Sequence, residues 1–296
     1  MAGMRNRVAR IVTQGLAAAL AVPAAAQEAP PPQDAPIVVT GTRTTDEEIA
    51  DFVDAFTVAP IGGQLSRFEW AVCPVASGVA PALKPVVADR IRAVARAAGV
   101  RVAKAKCLPN VLVIVTPDKK ALLTALQRSR PEYFEGFSGA ERRALRESDA
   151  PAAAWHIEGP PLTADGMEMP SNDGVYVNNT TSQGSRISFA TRPQFAAAIV
   201  VVESKALTGL TTIQLADYAA MRTLISTDPA LLDKSSIPTI LKVLDAPMGS
   251  AVPRTLTQWD LGIVRALYAG NPTLTARSQG SAMRRRLKGD IERRRK

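Results

Sequence analysis

One histidine, two cysteines and a few well-placed carboxylates bound the chemistry open to this 296-residue chain. His156 stands in Trp155-His156-Ile157-Glu158, and any Ser-His-Asp or Cys-His arrangement would have to use it. The sequence holds no Gly-x-Ser-x-Gly elbow to seat a nucleophilic serine. A strand-edge histidine is therefore the plainer account of His156. Glu203 ends the apolar run 195–202, where a carboxylate is partly desolvated and its pKa raised. With Asp217 it would form a carboxylate pair of the glycosidase type. The plainer account is a solvated strand-end acid.

The cysteines, Cys73 and Cys107, are an even count. In an oxidising compartment the expectation is a disulfide, worth roughly 3 to 4 kcal/mol on the chain-entropy model. That bond leaves neither thiol as a nucleophile. Two cysteines and one histidine do not close a zinc site without a carboxylate, so no metal or cofactor is expected. Gly62-Gly63 lacks the lysine and spacing of a P-loop, and no Gly-x-Gly-x-x-Gly is present.

The compartment is read from the N-terminal residues. Arg5, Arg7 and Arg10 precede a mostly apolar run over 11–22, then Pro23 and the small residues Ala24-Ala25-Ala26. That is the pattern of a signal peptide cut near Ala26, and its run is too short to span a bilayer. The expected location is periplasmic or secreted, with no integral membrane span. Once those three arginines are removed, 33 basic residues face 27 acidic ones. Residues 276–296 alone carry Arg277, Arg284, Arg285, Arg286, Lys288, Arg293, Arg294, Arg295 and Lys296 against Asp290 and Glu292, and the body over 27–275 is left at −1. A near-neutral body argues against a specific nucleic-acid surface built into the fold. The basic cluster is read as a disordered tail, able to meet an anionic envelope surface or an acidic polymer. Each of its cations near such a surface is worth about 1 kcal/mol.

Between these ends the expected organisation is a Pro-rich linker and short strand over 27–44, then an α+β globular domain over 45–275. Residues 37–43, Ile-Val-Val-Thr-Gly-Thr-Arg, resemble the segment that opens the plug of TonB-dependent receptors. No barrel-like alternation follows, so they read as a short strand or leader. Thr45 caps a helix to about Phe56, and 68–72 reads as a strand ending at Cys73-Pro74. Pro85 opens a helix to Ala98, with Gly99 as its stop. A buried strand over 110–115, a helix from Asp118 and a short helix over 138–147 follow. Residues 159–185 are a long loop, and loops of that length are usually functional or disordered. Two strands are expected at 186–190 and 195–203, joined by a turn over 191–194, with the second central. Helices close the domain at 211–224 and from Thr257 to Gly270.

The strand ending at Glu203 and the helix holding Gln214-Leu-Ala-Asp-Tyr218, together with 110–115 and the segment 256–268, resemble exported bacterial proteins with a zincin-like, metalloprotease-like domain. The resemblance covers about residues 60–270 and implies a mixed sheet packed with helices. It also implies His-Glu-x-x-His on that helix. Here Gln214, Leu215 and Tyr218 occupy those positions, so a zinc protease is not expected. The reading of the whole is an exported, non-catalytic envelope protein of binding or scaffolding type. The rival is a hydrolase acting on envelope polymers through Glu203 and Asp217.

Overall fold

The apolar run that ends at Glu203 is continuous because it lies in the middle of a sheet covered on both faces. The computed structural model describes residues 44–59, 63–104, 106–181, 183–247 and 249–295, which belong to one compact unit. The expected signal peptide, nearly all of the expected Pro-rich linker and the 37–43 segment lie outside the described residues.

Helix α1 is Asp46–Asp54, closed at its start by a capping box between Thr45 and Glu48. Strand β1 (Pro74–Ser77), helix α2 (Leu83–Ala97) and strand β2 (Val111–Thr116) form a parallel crossover unit. Helix α3 (Lys119–Ser129) follows, capped by Asp118, and a 3-10 turn over Pro131–Phe134 leads to α4 (Gly139–Glu147). Next come β3 (Ala152–Glu158), β4 (Leu162–Thr163), β5 (Ser171–Asn172), β6 (Val175–Tyr176) and β7 (Thr191–Arg192). The chain then returns as β8 (Phe195–Glu203), followed by α5 (Thr212–Leu224), α6 (Pro229–Lys234), α7 (Gln258–Tyr268) and α8 (Ala276–Arg295).

The main sheet has the order β1-β2-β8-β3. Strands β1, β2 and β8 are parallel, and β3 pairs antiparallel with β8 at one edge. This is an α+β fold, a mixed four-stranded sheet packed with helices. Alternate residues serve two cores. Ala198, Val200 and Val202 of β8 join a large core with α1, α2, α5, α7 and α8. Ile199 and Val201 join a smaller one with Leu123, Phe134 and Trp155. Cys73 and Cys107 are bonded, with Cα atoms 6.1 Å apart. The bond ties β1 and β2 near their starts, rather than the end of one strand to the start of the next. Among the described residues no helix is long and apolar enough to cross a membrane.

Three local expectations are corrected. Residues 68–72 do not form a strand: their backbone makes β-pairing only through isolated bridges at Arg67 and Val72, and a ladder begins at Pro74. Residues 186–190 make a single bridge, Ser188 to Leu274, while the expected turn holds β7, paired with β4. The long loop is therefore folded onto itself through β4, β5 and β6.

The largest correction concerns the C-terminal residues. They are a 20-residue helix, not a disordered tail. Gln279, Met283, Leu287 and Ile291, spaced four apart, are buried against α1 and α7. Gly262 of α7 faces this stripe so closely that a Cβ there would stand 2.5 Å from Leu287 Cδ1. Several of the cations are committed within the protein. Arg284 pairs with Asp54, Lys288 with Asp46 at 2.6 Å, and Arg293 with Asp290. Arg285 and Arg286 are exposed, while the side chains of Arg294 and Arg295, and Lys296 altogether, lie outside the described residues. Because Leu287 is fully buried, Leu287→Ala should lower the unfolding free energy by about 2 to 5 kcal/mol in urea titration. A change indistinguishable from that of an exposed Arg285→Ala would mean that α8 is not docked.

Candidate functional site

Glu203 and Asp217 do not form a working pair. Asp217 is wholly buried on α5 and accepts from Arg90 Nε at 2.6 Å and Arg90 Nη2 at 3.1 Å. Thr255 Oγ1 and the Leu256 amide donate to its other oxygen at 2.6 and 2.9 Å. Both oxygens are engaged, and together these bonds hold α2, α5 and the approach to α7. Glu203 sits at the sheet end, where Lys205 lies 2.9 Å away and the Lys119 amide donates to it at 3.3 Å. The Lys205 contact, with help from Lys119, holds its carboxyl below the usual range, the opposite of the expected rise. Neighbouring Lys119 is buried, with Nζ donating to the Ser148 carbonyl at 2.6 Å and to that of Ala150. Desolvation lowers its pKa.

The helix carrying Gln214 and Tyr218 faces solid core. Gln214, Leu215, Asp217 and Tyr218 are each at most 5% exposed. Gln214 closes the capping box with Thr211 and donates to the Pro253 carbonyl at 2.9 Å. Among the described residues no group of three or more His, Cys, Asp or Glu side chains converges as metal ligands would.

Concavity lies elsewhere, along the free edge of β3, where a groove of about 670 Å³ opens. Ala154, Trp155, His156 and Glu158 of β3 line it. Glu135 and Phe137 flank it from the turn before α4, Glu141 from the first turn of α4, and Arg222, Ser226 and Thr227 from the end of α5. The Glu203 amide donates to the Pro151 carbonyl, which fixes the phase of the antiparallel ladder. Ala152, Ala154 and His156 therefore turn their own N–H and C=O groups away from β8. Among the described residues these groups make no hydrogen bond.

His156 is held by its surroundings. Its ring stacks on Phe195 with centroids 3.9 Å apart, and Nε2 lies 3.0 Å from the Thr223 carbonyl oxygen. A carbonyl can only accept, so Nε2 carries the proton and Nδ1 faces Ser226 Oγ at 3.5 Å as an acceptor. Burial pushes the imidazole down to about 4. A serine–histidine contact exists, but the ring is neutral at pH 7, and a carbonyl stands where a carboxylate would stabilise the imidazolium. Glu158 accepts from Ser66 Oγ at 3.0 Å, and desolvation by the surrounding atoms raises its carboxyl although its surface is open. With Glu135 and Glu141 against Arg222, the groove is acidic. Sequence reading missed it, because its walls come from segments up to about 170 positions apart and no motif links them.

Comparison of the chain with protein-family models, curated proteins and solved structures returns no match.

Two measurements follow from this chemistry. Asp217→Asn removes the counter-charge of part-buried Arg90 at a wholly buried position and should cost about 3 to 5 kcal/mol. Glu203→Gln, at a partly screened ion pair, should cost under about 1 kcal/mol. Equal losses in chemical denaturation would contradict this placement. For His156, the unfolded chain takes up a proton near pH 6.5 and the folded one only near pH 4. Its contribution is thus present above 6.5 and is lost as pH falls through 4, with an upper bound on the order of 3 kcal/mol. Melts of native protein and His156→Gln should diverge above pH 6.5 and converge towards pH 4. The comparison separates His156 from Asp260, whose buried carboxyl is pushed up to about 6 and whose contribution runs the other way.

Proposed function

We propose that this chain is an exported, non-catalytic protein of the bacterial envelope that binds or scaffolds a partner, and that the partner docks in the groove along β3. One observation carries the reading: the outward N–H and C=O groups of Ala154 and His156 lie unpaired on a concave surface. An open strand edge is a template for another extended chain, and proteins usually blunt it with lysine, proline or a cover. The β3 sequence, Ala-Ala-Ala-Trp-His-Ile-Glu, carries none of the blunting residues. Exposed Arg285 and Arg286 on α8 would hold the protein near an anionic envelope surface. The zincin-like ancestry is likewise a proposal, supported by the succession of β8 and α5 and by the mixed sheet. The separate engagements of Glu203 and Asp217 count against the hydrolase reading.

The test is co-sedimentation with an isolated bacterial envelope fraction. Native protein should sediment with it, and Ala154→Pro, which removes one outward N–H from an edge strand, should weaken binding by about ten-fold. Arg285→Ala with Arg286→Ala should remove the salt-sensitive part alone. Release of soluble fragments from the envelope polymer, lost in Glu203→Gln, would instead support the hydrolase. Binding unchanged by Ala154→Pro would remove the groove from the account.

A further inference from the structure

A second cleft, of about 540 Å³, opens where residues 159–162 leave the sheet, and it does not involve the groove along β3. Its walls carry two aromatic side chains that folding has left uncovered, Trp70 at 45% exposure and Tyr176 at 41%. The other tryptophans, Trp155 and Trp259, are 3% exposed, so the half-open indole is a local exception. Tyr176 is presented by the β5–β6 hairpin, whose turn residues Asp173 and Gly174 both have positive φ, as a tight two-residue turn requires.

The polar groups of the cleft are biased towards acceptors. Gln194 is 4% exposed and lines it. Its Nε2 donates to the Pro160 carbonyl at 2.8 Å, which fixes the orientation of the amide and leaves Oε1 buried with no donor. A buried carbonyl oxygen without a donor is costly, and a hydroxyl or N–H from a ligand would satisfy it. Glu168 adds a carboxylate on the same wall. Asn110, also there, is held in place, since its Oδ1 accepts from the Cys73 amide and its Nδ2 donates to the Ala71 carbonyl. The Arg101 guanidinium stands 5.7 Å from the centroid of the Trp70 ring, so a second cation on that ring would be repelled.

A fitting ligand is uncharged, rich in donors and flat on one apolar face. We propose that this cleft binds a neutral oligosaccharide of equatorially substituted pyranose units. The C–H faces of the sugar lie against Trp70 and Tyr176, and its hydroxyl or acetamido protons go to Gln194 Oε1 and the Glu168 carboxylate. A proline-rich polypeptide also suits aromatic grooves, but its prolines bring no N–H for the orphaned oxygen.

Trp70 is the one exposed tryptophan, so intrinsic fluorescence of the whole protein reports on the cleft. Titration with cellohexaose and with chitohexaose should give a saturable emission change for at least one of them, and decaproline should give none. Calorimetry should then show about ten-fold weaker binding in Trp70→Ala and, independently, in Tyr176→Ala, with melts unchanged because both side chains are half-exposed. Gln194→Met should weaken sugar binding and leave any decaproline binding as it was. No saturable response to either sugar, sugar affinity unchanged by both aromatic substitutions, or binding of decaproline in preference would each overturn the proposal.

Discussion

A carboxylate taken fully out of water fixes the arrangement of this molecule. Asp217 lies at the crossing of α2 and α5, and four hydrogen bonds converge on it from Arg90, Thr255 and Leu256. A buried charge is tolerable only when its partners are in place, so the helix pair and the segment leading into α7 are specified together. α5 cannot rotate to expose Gln214 or Tyr218 without breaking that network. The helix that carries the spacing of Gln214 and Tyr218 is thereby committed to the interior, and the open chemistry of the protein moves to the sheet edge and the folded loop.

The sheet divides accordingly. Its centre, β2 and β8, is apolar on both faces and sets the two cores. Its β3 edge keeps main-chain groups open within an acidic groove, and the loop beyond it folds back to build the aromatic cleft. Both concave sites thus border the segment over 152–162, one at the strand and one where the chain leaves it. Rigid centre and open margin follow from the same fact, that β8 is covered on every side and β3 on only one edge.

Much of the fold could be read from residue order. Capping residues Thr45, Ser138, Thr211 and Thr257, each followed three positions later by a side chain that returns the hydrogen bond, marked four helix starts. The run ending at Glu203 declared a central strand by its lack of alternation. Residues 276–296 were misread for a physical reason. One apolar residue per turn among nine cations gives almost no periodic signal, yet one per turn suffices when the facing helix offers Gly262. Of the site, only His156 was visible as a singular residue, and its burial removed the basicity that made it interesting. The Gln194 orphan and the Glu158 desolvation depend on neighbours far along the chain, which spacing cannot express.

The position of β8 also governs the order in which the protein can assemble. β2 is complete by Thr116 and β3 by Glu158, yet both pair with a strand that ends at Glu203. During synthesis from the N-terminus, one side of β2 must wait for more than eighty residues before its neighbour exists. A waiting apolar edge is a site of misassociation, and parallel pairing is slow because the loop must close first. The Cys73–Cys107 bond falls entirely within the part that emerges early. Both cysteines precede β8 in the chain, so once this bond forms it ties β1 to β2 across α2 without any contribution from the keystone strand.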